Sequence, residues 1–400
     1  MPRPPWEVAD VIRLYGEDYR QDQGASVPTS HRRVLHALET CRTAVLGGHV
    51  DACDHCGARQ ISYNSCRNRH CPKCQSLAKA SWLEDRLDEL LPVEYFHVVF
   101  TLPHQLASLG LQNKRCFYNL LFKATAETLR TIAADPKHLG AQIGFLAVLH
   151  TWGQTLTFHP HLHCIVPGGG FDPAGERWIA CRPGFFLPVR VLSRFFRRCF
   201  LEALEATYDK GGLELYGSLD ELREPETFRR WLDPLRDSEW IVYAKPPFGG
   251  PEKVLDYLGR YTHRVAIANH RILDVGDGKV SFRWRDYRHD NRLETMTLSA
   301  EEFLRRFLLH VLPDGFVRIR HFGWLANRHR TENIERARRL IAQQPPEAAT
   351  VGERDPEPRS EPFAATPRLC PHCQRGQLVR VEIVPPITAT TQRPRGVDSS

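Results

Sequence analysis

The chain has 400 residues, 42% of them apolar, and a formal net charge of +7 in which arginine outnumbers lysine. That length and apolar content support two or three units with real cores, and the modest basic excess is compatible with a nucleic-acid partner without establishing one. No stretch approaches the length of a membrane span and Met1–Trp6 lacks the apolar core of a signal peptide, so a cytoplasmic protein is expected. Twelve cysteines in such a chain point to metal ligands and buried thiols before disulfides.

Residues 1–30 give a short apolar pattern (Val8, Val11, Ile12, Leu14), expected to form a helix docked elsewhere, and then a polar loop. The first informative block follows: Cys53-x-x-Cys56-Gly57, then Cys66-Arg67-Asn68-Arg69-His70-Cys71-Pro72-x-Cys74. Two C-x-x-C knuckles separated by 14 residues match a four-thiolate zinc ribbon, and each knuckle turns sharply enough to aim two sulfurs at one ion. The expected zinc ligands are Cys53, Cys56, Cys71 and Cys74 in a closed, structural site. Cys66 and His70 can each replace one ligand, and Cys41 and His49 leave room for further ligation. Arg67, Arg69 and Lys73 around the second knuckle read either as a DNA-contacting face or as a solvated basic loop.

Helical spacing covers Ser76–Leu91, and an apolar strand covers Glu94–Thr101. Residues 114–134 read as a long amphipathic helix, and 144–152 as a strand. The stretch Phe158–Val166 (FHPHLHCIV) alternates and ends in Pro167 and three glycines, so it reads as a strand paired antiparallel with 144–152. Residues two apart on a strand share a face, so His161 and His163 project together while Leu162 turns to the core. Two such imidazoles form a half-site for a divalent metal, although core histidines are common.

Residues 188–208 form a basic amphipathic helix, Trp240–Lys245 a strand, and Glu252–His263 a helix with Pro251 at its first position. Tyr257 and Tyr261 are four apart on that helix and share a face, as a packing stripe or as a catalytic pair. A hairpin is expected over 271–286, and Ser299 with Glu302 fits a capping box. Arg318–Arg339 holds seven arginines against two glutamates, interleaved with Phe322 and Trp324; this suits single-stranded nucleic acid or a solvated helix. From Gln343 onward the chain is rich in Pro, Glu and Arg and reads as largely disordered, with a lone Cys370-x-x-Cys373 knuckle. A strand, a helix and a hairpin make the fold class α+β with a mainly antiparallel sheet flanked by helices.

Taken together and in order, YNSCRNRHCPKC (63–74), HTWGQ (150–154), HPHLH (159–163) and YLGRY (257–261) resemble the two-tyrosine HUH transposases of the insertion-sequence-91 type, over roughly residues 30–340. The resemblance implies an HUH endonuclease domain with an N-terminal zinc module. It also implies nicking and rejoining of single-stranded transposon ends and target DNA. One tyrosine becomes linked to a 5′-phosphate and leaves a 3′-OH, and the other serves a second cleavage or the strand transfer. It implies Mg²⁺ or Mn²⁺ besides structural Zn²⁺, no ATP, no small-molecule cofactor, no membrane partner, and association with the nucleoid during action.

Carried over by position, Tyr257 and Tyr261 are the nucleophiles and His161 and His163 the metal ligands. Three alternate strand positions span about 13 Å, too far for one ion, and proline at 160 is a poor central-strand residue, so His159 is expected to be a bystander. The family's third ligand comes from the preceding strand; Gln154 is expected there, with His150 as runner-up. Lys245 and Arg260 are either phosphate-stabilising or surface cations. The expected division is an N-terminal arm (1–30), a zinc-binding domain (31–80), a catalytic domain (90–270), a basic DNA-binding extension (271–342) and a tail (343–400). Two rival readings are a non-enzymatic zinc-ribbon DNA-binding protein and a hydrolase that uses metal-activated water.

Overall fold

The sheet that carries the histidines has five strands, all antiparallel. In chain order they are β3 (Tyr95–Thr101), β4 (Gly144–Trp152), β5 (Phe158–Pro167), β8 (Val242–Lys245) and β12 (Ile319–Gly323), arranged β12-β4-β5-β3-β8. The computed structural model describes residues 4–75, 88–245, 259, 265–286, 289–344 and 369–387. Most of the expected helix Ser76–Leu91, and the segment with Tyr257, Arg260 and Tyr261, lie outside the described residues.

β4 and β5 pair as the alternation requires, with Val148 opposite His163 and His150 opposite His161. Their register shifts between His150 and Trp152, so Thr151 faces both His159 and Pro160. A proline fits there because it has no N–H to lose from a regular ladder, while its carbonyl accepts from Leu102 N at 3.3 Å. The connecting turn closes through Gly153 N donating to Thr157 O at 3.0 Å. Leu156 in that turn holds φ +61° and is fully buried, so side-chain burial offsets a backbone conformation that leucine rarely takes.

One face of this sheet is covered by two long helices, α4 (Lys114–Ala134) and α5 (Val189–Asp209), which come after the short α3 (Ala107–Gln112). Phe96, Val98 and Phe100 of β3, Phe145, Ala147 and Leu149 of β4, and Leu162, Cys164 and Val166 of β5 point into this core. Phe100 meets Phe196 edge-on at 5.0 Å, and Phe117 meets Phe200 at 5.4 Å. Helix α6 (Pro225–Asp237) closes the flank through Phe228, Leu232 and Leu235. The opposite face carries His97, His150, His161 and His163 beside a small apolar patch of Tyr95, Leu146, Val148 and Ile165.

A second core joins the N-terminal helices to residues 266–311. Helices α1 (Val8–Gln23) and α2 (Thr29–Thr40) pack on α7 (Ala300–Leu309) and on the hairpin β9 (Ile272–Gly276)–β10 (Lys279–Asp286), through Val8, Ile12, Leu35, Phe282, Phe303 and Phe307. β11 (Arg292–Ser299) completes that sheet, and Ser299 caps α7 by accepting from Glu302 N at 3.2 Å. Helix α8 (Arg330–Ala342) follows β12 and packs on the short hairpin β6 (Gly169–Phe171)–β7 (Trp178–Ala180).

The reading of Phe322 and Trp324 as stacking platforms for nucleic acid does not hold. Phe322 stacks on Phe145 at 5.1 Å on the helix-covered side, and Trp324 is buried between Phe171 and Trp178. Several arginines of that run are also engaged inside the protein: Arg318 donates to Gln75, Arg330 pairs with Glu89, and Arg338 donates to the Asp88 carbonyl. The knuckle in the tail is not alone either. Residues 369–387 include β13 (Leu378–Val384), which pairs with β1 (Gly48–Cys53) on the edge opposite β2 (Arg59–Tyr63).

Candidate active site and metal centres

On the sheet face turned away from α4 and α5, one ring nitrogen each from His150, His161 and His163 lies within 4.8 Å of the others; His150 and His163 are buried and His161 is half-buried. The side chains meet because strand parity puts His161 and His163 on one face and the register sets His150 directly opposite His161. His161 Nδ1 donates to the His159 carbonyl at 2.7 Å, which fixes the tautomer and leaves Nε2 as the lone-pair nitrogen. His159 thus enters through its backbone, and its ring is not among the three. His150 lies flat on Trp152, with ring centroids 4.6 Å apart and planes 18° apart. Gln154, expected as third ligand, sits beyond the strand end in the β4–β5 turn, where its backbone carbonyl accepts from Arg271. The third imidazole in the group is therefore that of His150.

A fourth histidine went unnoticed in the sequence. His97 sits on β3, diagonal to His163, and its Nε2 lies 2.8 Å from His163 Nδ1 with the rings nearly parallel at 10°. Burial first, then the charges of Lys245 and His161, hold the His97 imidazole down to about 3, so it is neutral at ordinary pH. A neutral His97 accepting from His163 Nδ1–H leaves His163 its Nε2 lone pair, as the His159 carbonyl does for His161. The available signal was a single histidine inside the apolar run YFHVVFT (95–101). Lys245 pairs across the ladder with His97 on the edge strand β8, so it belongs to this face; Arg260 lies outside the described residues.

His310, a buried histidine near the site, is structural. His310 Nε2–H donates to Leu156 O at 3.1 Å, and its Nδ1 lies 3.2 Å from the Thr151 hydroxyl, which ties α7 to the β4–β5 turn. Complete burial pushes its pKa down to about 3.

The expected zinc quartet Cys53, Cys56, Cys71 and Cys74 is split between two clusters. Cys71 and Cys74 join Cys41 and Cys66, whereas Cys53 and Cys56 join Cys370 and Cys373. The reason is the β1–β2 hairpin. Cys53 and Cys56 lie at its tip and Cys41 and Cys66 beyond its base, and five extended residues separate tip from base by about 17 Å. In the first cluster Cys41–Cys74, Cys66–Cys74 and Cys41–Cys71 have sulfurs 3.7, 3.6 and 3.6 Å apart. A tetrahedral ion with Zn–S bonds near 2.3 Å requires an edge of about 3.8 Å, so this donor set fits zinc. Each thiolate raises the cost of ionising the next: Cys41, bonded by Cys66 and Cys71, is held down to about 2, while Cys71 is pushed up to about 12.

His49 and His70 belong to neither cluster. His49 pairs with Asp51 at 3.3 Å, and His70 is half-buried, its pKa pushed down to about 3 by desolvation first and then by the charges of Arg69 and Arg318. Arg69 and Lys73 fit neither reading of the basic knuckle. Arg69 donates to the carbonyls of Phe316 and Pro313, and Lys73 forms a largely buried ion pair with Glu7. These contacts lock the first cluster between α1 and the segment leading into β12. Arg67 remains exposed.

Two family models match the chain in order: a "Transposase zinc-binding domain" over residues 11–102 and a "Putative transposase" over residues 144–333. The chain is 59% identical over 402 residues, covering all of both proteins, to "Putative transposase y4qJ" of Sinorhizobium fredii (strain NBRC 101917 / NGR234). It is 28% identical over 291 residues, 72% of this chain and 68% of the other, to the "Transposase for insertion sequence element IS801" of Pseudomonas savastanoi pv. phaseolicola. No solved structure matches it. Among the described residues, no helix is long and apolar enough to cross a membrane. The end-to-end relative and the two models, set on the thiolate module and the histidine face, show that the chain belongs to the insertion-sequence-91 family of transposases.

Proposed function

We propose that this transposase nicks and rejoins single-stranded DNA with Tyr257 and Tyr261 as nucleophiles and His150, His161 and His163 as the ligands of a catalytic Mn²⁺ or Mg²⁺. The carrying observation is the convergence of three imidazoles, two buried and one half-buried, on one sheet face. It is supported by the residues that flank the tyrosine segment in sequence. Lys245 pairs with His97 at one end, and Val265 and Ala266 line a small cavity with Trp152 and His310 at the other. The histidine group lies between these two ends.

His150, His161 and His163 would hold the ion, and the ion would supply Lewis-acid stabilisation of the charge that builds on phosphorus. Imidazole is a poor ligand for Mg²⁺, which prefers oxygen, and a better one for first-row transition ions, so of Mg²⁺ and Mn²⁺ this donor set suits Mn²⁺ more. The His159 carbonyl and His97 hold His161 and His163 in the metal-binding tautomer, and Lys245 adds positive charge beside the site. A tyrosine gives up its phenolic proton and its Oη bonds to phosphorus. The bond to the 3′ oxygen breaks, and that oxygen takes up a proton, leaving a 3′-OH and a 5′-phosphotyrosine. Attack of a 3′-OH on the same phosphorus reverses these steps and joins the strands without ATP. A structural Zn²⁺ on Cys41, Cys66, Cys71 and Cys74 completes the N-terminal module.

The test is cleavage of a labelled single-stranded transposon end with Mn²⁺, followed by mapping of the adduct peptide. An adduct on Tyr257 or Tyr261, lost in the Tyr257→Phe/Tyr261→Phe variant, is expected. Cleavage that survives in that variant without any adduct supports the metal-water hydrolase instead. An absence of cleavage with either ion supports a DNA-binding role alone.

A further inference from the structure

We propose that the protein holds a second structural Zn²⁺ on Cys53, Cys56, Cys370 and Cys373, which latches the C-terminal end of the chain onto the N-terminal module. The family model for the zinc-binding domain ends at residue 102, far short of the Cys370–Cys373 knuckle. The sulfurs of Cys53 and Cys373 lie 3.7 Å apart, as do those of Cys56 and Cys370. That separation is the edge of a tetrahedral thiolate site, about 3.8 Å, and nearly twice a disulfide bond of about 2.05 Å.

The surroundings are built for thiolates. His55 N and Cys56 N both donate to Cys53 Sγ at 3.4 Å, and Gly376 N donates to Cys373 Sγ at 3.4 Å. Such backbone donors orient ligand sulfurs and stabilise their negative charge. The two knuckles clasp through reciprocal bonds: Asp54 N donates to Gln377 O, and Gln377 N donates to Asp54 Oδ1 at 2.7 Å. A Cβ on Gly376 would lie 2.5 Å from Cys53 Sγ, so only glycine lets the second knuckle approach this closely.

Apolar burial cannot hold this end of the chain in place. β13 lies against β1, yet Val379, Val381 and Ile383 are half or more exposed. A strand with so little buried side-chain area needs a staple, and a four-thiolate ion is the staple that small modules use. Because the ligands are 314 and 320 residues apart in pairs, this ion makes the N-terminal hairpin depend on residues near the other end of the chain. A chain ending before Cys370 would lose two of its four ligands and the strand beside β1.

Native mass spectrometry of the full chain, after a mild chelator wash that strips histidine-bound metal, tests this. Two retained zinc ions are expected, with Cys53, Cys56, Cys370 and Cys373 shielded from alkylation until strong chelation or acid removes them. The Cys370→Ser/Cys373→Ser variant should keep one zinc and lose amide-exchange protection across residues 48–53, while Cys373→His should keep both ions. One retained zinc in the wild type overturns the proposal. So does a mass showing these four cysteines oxidised to two disulfides, or rapid alkylation of Cys370 and Cys373 in the native protein.

Discussion

Neighbouring residues on β5 belong to different tasks. Leu162 and Cys164 face α4 and α5, where both are fully buried and burial pushes the Cys164 thiol up, leaving it inert. His161 and His163, one position over, face the other side of the sheet, where their nitrogens are positioned by hydrogen bonds and not by apolar packing alone. On the proposed function, strand parity separates stability from chemistry over the thickness of one sheet. Substitutions on one face should cost folding, and those on the other should cost reaction.

The largest effect is expected from His161→Ala. Losing a ligand should lower strand cleavage by about 10³-fold or more, because the metal contributes several kcal/mol to the transition state. The melting temperature should move by no more than about 2 °C, as for an ordinary non-core substitution. A large drop in melting temperature would erase the distinction between the faces. Leu162→Ala, its neighbour, should behave in the opposite way. It should destabilise by about 2–5 kcal/mol in chemical denaturation, with cleavage per folded molecule unchanged.

His310 sharpens the contrast because it is a histidine that serves the fold. Its pKa of about 3 in the folded protein lies below the unfolded value of about 6.5. Between those values the unfolded chain binds a proton that the native state refuses. The penalty is therefore absent above pH 6.5 and grows as pH falls toward 3, up to roughly 4 kcal/mol. Denaturation midpoints measured across that window should fall with acid less steeply in His310→Gln. Equal slopes in both proteins would show that another group dominates.

His97→Ala should have the smallest effect, since it touches a ligand and not the phosphate. Removing the partner of His163 Nδ1 should raise the Mn²⁺ concentration for half-maximal cleavage about 10–100-fold, with most of the saturated rate retained. A loss of saturated rate at unchanged metal dependence would place His97 in another role.

Much of this architecture is legible in the sequence wherever the information is local. The strand 144–152 and the helix start near 114 come straight from hydrophobic period. The antiparallel hairpin follows from a short polar connection, and the outward pair His161/His163 from alternation. The third histidine is less legible because it depends on register, and a one-residue shift at Thr151 moves the pairing in a way that alternation does not encode. The basic knuckle misleads for a related reason. A sequence shows that Arg69 and Lys73 are charged, but not that Phe316 and Glu7 wait for them from remote segments.

The cysteines mark the boundary most clearly. By itself the sequence determined that each C-x-x-C turn presents two sulfurs together, because that depends only on a tight local turn. It also determined the parity of β5, and so which side chains face chemistry. The tertiary structure decided which knuckle meets which. An extended β1–β2 hairpin holds its tip away from its base, so Cys53 and Cys56 cannot share an ion with Cys71 and Cys74 and meet Cys370 and Cys373 instead. Tetrahedral ligation is a condition on distances in space, and separation along the chain does not fix those distances once a strand stands between the ligands.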